Sequence, residues 1–148
     1  MPAAERYAFF SGISGSTKDE LWVVGSSGST IPEQDSIAEH WDGHRWRVVP
    51  VPTLRQYAPG YGGGDGLADV VDPSGADAWA VGATDDFTHP RIVHWDGKSW
   101  KVVPSPRFSG WLRAVTATRG SLWAVGGNGQ ALGTLNTIRG LIEQYSCK

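Results

Sequence analysis

The groups in this 148-residue chain that could do acid–base, nucleophilic or metal chemistry are few: 4 His, 1 Cys, 15 carboxylates and 13 basic side chains, besides its hydroxyls. An enzyme working without metal or nucleotide could take a general acid or base from His89, Asp85 or Asp69. Arg55, Arg107 or Arg113 would then steady a developing anion. That chemistry suits a cyclase, lyase or isomerase of a bacterial biosynthetic pathway. A second chemistry is recognition. Arg55, Tyr57, Tyr61, Asp65, Asp86, Arg91, Arg107 and Trp111 mix aromatic, cationic and anionic side chains on Gly-rich segments. Aromatics stack on the apolar face of a sugar while charged groups hydrogen-bond its hydroxyls, so a carbohydrate or small polar ligand is the leading expectation; the same mix suits a protein-interaction scaffold.

Other chemistries lack their motifs. His40 and His44 are four apart but straddle a turn instead of sharing a helix face, so the spacing argument for a metal does not apply. Tyr61-Gly62-Gly63-Gly64-Asp65-Gly66 lacks the Lys-Ser/Thr of a phosphate-binding loop and precedes a strand. No Ser stands in a nucleophile-elbow context. No cofactor is expected. The single Cys147 cannot form an intramolecular disulfide. A net charge of −2 gives no field that would drive the chain onto nucleic acid or an acidic membrane. No leader pattern and no membrane-length apolar run are visible, so the expected location is cytoplasmic.

What must position these residues is a repeat. Leu21-Trp22-Val23-Val24-Gly25, Ala78-Trp79-Ala80-Val81-Gly82 and Leu122-Trp123-Ala124-Val125-Gly126 are three copies of one segment. Upstream of each lies Phe10-Ser11-Gly12-Ile13, Leu67-Ala68-Asp69-Val70 or Leu112-Arg113-Ala114-Val115. Downstream of the first two lie His40-Trp41-Asp42-Gly43-His44-Arg45-Trp46 and His94-Trp95-Asp96-Gly97-Lys98-Ser99-Trp100, each running into Val-Val-Pro. Each unit predicts four short strands. Asp-Gly marks a hairpin with positive φ at its centre, and the Pro ends the fourth strand. Four-stranded units of about fifty residues with their own aromatic and Gly pattern are the mark of β-propeller blades.

These motifs resemble the Trp-Ala-Val-Gly / Trp-Asp-Gly repeat propellers common in actinobacteria, which are loosely similar to kelch and galactose-oxidase-type blades. The resemblance runs from about Tyr7 to Tyr145. It implies an all-β fold with blades at about 7–52, 66–106 and 111–146, and implies no activity. Galactose-oxidase-like copper chemistry is discounted, because Cys147 is the only thiol.

The third unit matches as far as Gly140-Leu141-Ile142-Glu143-Gln144-Tyr145 and lacks its outer strand. The expected architecture is therefore half a β-propeller, about three four-stranded blades completed to six by a homodimer. Residues 1–6 of the partner are a candidate source of the missing strand. Trp22, Trp79 and Trp123 are expected to fill the spaces between blades. Segments 26–36, 53–66, 83–90, 107–111 and 127–139 gather at one mouth of the channel, where function is expected. Asp69 and Arg113 stand on first strands as charges in the channel wall.

Overall fold

A computed structural model of the chain describes residues 8–28, 35–52, 65–84, 89–105, 110–128 and 139–146. Every element among them is a β-strand. The first sheet runs in the order β1 (Ala8–Thr17), β2 (Glu20–Ser27), β3 (Asp35–Trp41), β4 (Trp46–Val49). The second repeats it with β5 (Asp65–Val71), β6 (Ala78–Thr84), β7 (Pro90–Trp95) and β8 (Trp100–Val102). The third has β9 (Trp111–Thr118), β10 (Ser121–Asn128) and β11 (Arg139–Ser146). All pairs are antiparallel between neighbours in sequence. The all-β, propeller-type arrangement of two four-stranded blades and a three-stranded third is thus what the repeat predicts.

The Gly that closes each Trp-x-Val-Gly segment has a single cause. The first strand of every blade bulges at the same place: Phe10 and Gly12 pair with Gly25 and Val24, and Ser11 is left over. Ala68 and Arg113 are the extra residues in the second and third blades. The bulge presses a carbonyl onto the facing glycine. A Cβ on Gly25, Gly82 or Gly126 would overlap the carbonyl oxygen of Phe9, Gly66 or Trp111 well inside van der Waals contact. Only hydrogen fits there.

The Asp-Gly hairpins differ from the expected tight turn. Asp42 opens a four-residue loop in which its N–H donates to the Arg45 carbonyl at 3.3 Å. Its Oδ1 accepts from His44 N at 3.0 Å and Arg45 N at 2.9 Å. Asp96 repeats this with Lys98 and Ser99. The positive φ falls on Gly43 (84°) and Gly97 (88°). The Asp side chain holds the loop together with its own backbone N–H.

Blades pack face to face. Trp22, Val24 and Ala38 of the first blade meet Leu67, Val70, Ala78, Ala80, Val93 and Trp100 of the second. Val81 and Ile92 on the far side of that blade meet Leu112, Val115, Leu122 and Ala124 of the third, with Trp79 packed against them. Each large apolar side chain so buried contributes about 1.5–3 kcal/mol, so the two seams are the core of the molecule.

Two outcomes follow. Gly82→Ala should cost about 3 kcal/mol through overpacking and lower Tm by roughly 10 °C, read by calorimetry. Gly66→Ala, whose Cβ would meet nothing within 4 Å, should be close to neutral. The second concerns acid. Backbone donation from Arg45, then from His44, together with the Arg47 side chain, lowers the Asp42 pKa to about 2, against some desolvation. The Lys101 ammonium, then Ser99 and Lys98 N–H, depress Asp96 further. A depressed folded pKa means stabilisation that is complete above the ordinary carboxylate range and lost as pH falls through the folded value. Both hairpins should keep their amide protection at pH 4, and Asp42 should titrate near pH 2 by carboxyl NMR.

Candidate functional site

The first strands of successive blades lie side by side, and polar groups on them tie blade to blade. Ser11 Oγ donates to the Leu67 carbonyl at 2.6 Å. Asp72 N donates to Ser14 Oγ at 3.0 Å, and the Asp72 carboxylate accepts Ser16 N at 3.2 Å. The other oxygen of Asp72 accepts Gly75 N at 2.5 Å, so this buried carboxylate is engaged on both sides. Between the second and third blades, Asp69 Oδ2 accepts Val115 N at 2.9 Å while Oδ1 accepts Val70 N at 2.9 Å. Asp69 therefore belongs to the seam. A carboxylate holding two main-chain N–H groups is a clamp across the seam, a structural role beside the general-base role considered for it from sequence.

The remaining candidates scatter. Arg91, expected on the ligand face, is 1% exposed, and its Nη2 donates to the Pro52 carbonyl, pinning the segment after β4 to β7. Exposed His89 closes the connection between β6 and β7 through its backbone: its N–H donates to Thr84 Oγ1 at 3.2 Å and its carbonyl accepts Thr84 N at 3.0 Å. The Trp111 indole lies over Gly127, leaving no room for a Cβ there. Asp65 begins β5. Arg113 is the bulge residue of β9 and is exposed. Arg55, Tyr57, Tyr61, Asp85, Asp86 and Arg107 lie outside the described residues, as do residues 1–6. Among the described residues no group of His, Cys, Asp and Glu could hold a metal ion, and no helix is long and apolar enough to cross a membrane.

A His–carboxylate pair does recur. His40 Nε2 lies 2.7 Å from Glu20 Oε2, with its ring 4.5 Å from Trp22. His94 Nε2 lies 2.6 Å from Asp77 Oδ1, stacked 4.1 Å from Trp79, whose indole N–H donates to the same oxygen at 2.9 Å. The third blade keeps the contact and drops the titratable chemistry: Gln144, the cross-strand partner of Trp123 as His40 is of Trp22, donates from Nε2 to Ser121 Oγ at 3.3 Å. A contact that survives replacement of both charged groups is a packing device. The repeated histidines pack against the tryptophan of their own blade.

The most distinctive surfaces are the two outermost blade faces. On the third blade, the face equivalent to the one that buries Trp22 and Val24 carries Trp123 at 37%, Val125 at 43% and Ile142 at 70% exposure, with Arg113 on its inner strand. On the first blade, the face equivalent to the one carrying Leu67 and Val70 exposes Phe10 at 41% and Ile13 at 65%. Trp123 is thus no filler between described blades, because none of them covers it. Glu39 lies on the first blade's outer face, paired with Val23 and Val48; it is buried, with no hydrogen-bond partner for Oε1. The sequence reading missed Asp72, whose spacing to Gly75 is an Asx-turn signal, and Glu39, which only internal comparison with Val93 singles out.

No protein-family model matches the chain, and no curated protein matches it significantly.

The clamp assigned to Asp69 has a direct consequence. Asp69→Ala leaves the Val115 N–H without its acceptor and should cost about 1–3 kcal/mol. Asp69→Asn, which keeps an oxygen acceptor, should cost less. Urea unfolding measures both, and amide exchange at Val115 should accelerate in the Ala variant.

Proposed function

We propose that this chain is a binding module, not an acid–base enzyme. It is half of a β-propeller whose outermost blades join those of a second copy, and the closed ring offers its loop mouth to a carbohydrate or another small polar ligand. The observation that carries this is the match between buried and exposed positions. Phe10 and Ile13 stand where Leu67 and Val70 are buried, and Trp123 and Val125 stand where Trp22 and Val24 are buried. Apolar residues at positions that elsewhere form seams mark faces made for another blade. Each copy presents both kinds of face, so two copies related by a two-fold along the propeller axis satisfy all four. The repeat's resemblance to Trp-Ala-Val-Gly propellers agrees with this architecture. Against the enzyme stands the engagement of Asp69 with two main-chain N–H groups. An Asp69→Asn variant that keeps a measured ligand affinity would agree with the binding module.

Light scattering after size exclusion tests assembly: the particle should have about twice the chain's 15.9 kDa mass, and a stable monomer overturns closure by a second copy. A glycan array tests the ligand. Binding should fall at least about tenfold in Trp111→Ala, the loss of one stacking aromatic, and persist in His89→Ala. Catalytic turnover abolished by His89→Ala would favour the enzyme instead.

A further inference from the structure

The seam between the first and second blades is built on an aromatic socket. Trp95 and Trp100, at the β7–β8 hairpin, stand with ring centroids 5.9 Å apart and planes at 52°. Trp22 of the neighbouring blade enters this pair, 4.9 Å from Trp95 and 5.0 Å from Trp100, edge-on to the latter at 79°. With Trp22 in place, Trp100 is 2% exposed and Trp22 is fully buried.

The first blade carries the same socket at the β3–β4 hairpin. Trp41 and Trp46 pair across the strands as Trp95 and Trp100 do, with centroids 5.6 Å apart and planes at 48°. The geometry is preformed. Trp46 nevertheless stays half-buried where Trp100 is buried, because no described blade supplies an indole to it. The matching indole exists at the other end of the chain. Trp123 occupies in β10 the position of Trp22 in β2, on the face pointing away from the second blade, and is 37% exposed. Within one chain the two cannot serve each other, since the second blade lies between the blades that carry them.

We infer that Trp123 of one copy inserts between Trp41 and Trp46 of the other, keying both seams of the ring. This rests on closure by a second copy and assigns the residues that perform it. Aromatic anchors seated in a preformed pocket are the usual carriers of association energy, and a rigid socket lowers the ordering cost. Edge-to-face contact adds directional selectivity to the area buried. The arrangement also makes the seam directional, since plug and socket lie on opposite ends of each copy.

That directionality supplies the test. Trp123→Ala should weaken dimerisation about 30-fold per seam, hence on the order of 1,000-fold for a ring with two seams, measured by analytical ultracentrifugation on the full chain. Trp46→Ala should act likewise, with its thermal melt as a control for folding. An equimolar mixture of the two variants contains heterodimers with one native seam, Trp123 of one variant in Trp46 of the other. Mixing should therefore recover affinity at least about tenfold over either variant alone. A dimeric wild type whose Trp123→Ala variant associates as tightly, or variants that show no recovery on mixing, would overturn the plug and socket while leaving closure standing. A wild type that is monomeric at every concentration overturns closure itself. Should Trp46→Ala unfold, Trp41→Phe paired with Trp123→Ala in a double-mutant cycle reads the same contact; additive losses would refute it.

Discussion

A blade of this chain is apolar on both faces, and it cannot cover either one alone. Everything else in the structure depends on that constraint. Hairpin pairing satisfies the backbone within each sheet, but the buried side chains of β2, β6 and β10 need a neighbouring sheet on each side. The second blade has neighbours on both faces, and its second strand is buried almost throughout. The outermost blades show what the same pattern looks like with one neighbour, as Trp22 and Trp123 make plain.

Much of the architecture was legible because repetition is a stronger signal than propensity. Three copies of Trp-x-Val-Gly marked the three blades and, among the described residues, the eleven strands and their order. The reason for the glycine was not legible: it answers to a bulge on a strand several residues upstream, and nothing in the segment itself names that partner. The Asp-Gly turns were located correctly but with the wrong mechanism, since a side chain accepting two N–H groups leaves the same trace as a tight two-residue turn.

The candidate site was less legible for a physical reason. A charge such as Asp69 on an apolar strand signals only that the group must find partners, and one of them came from a backbone 46 residues away. Arg91 looked like a loop-face cation and proved to be an internal strut. The His–carboxylate pairs were not legible, because each carboxylate stands at or just before the start of the preceding strand, 20 or 17 residues from its histidine, and the third blade makes the same contact with Ser121 and Gln144.

The ties between first strands also differ from one another. Serine hydroxyls reach across from the first blade, the Asp69 carboxylate reaches across from the second, and a guanidinium, Arg113, stands at the corresponding bulge of the third. Three nearly identical repeats joined in series run the risk of docking out of order while folding, a hazard of repeat chains. The ties stand at different stations: Ser11 is a bulge residue, matched by Ala68 and Arg113, whereas Asp69 follows the bulge and is matched by Gly12 and Ala114. The two seams within the chain are thus held by different polar ties, Ser11 to Leu67 in the first and Asp69 to Val115 in the second.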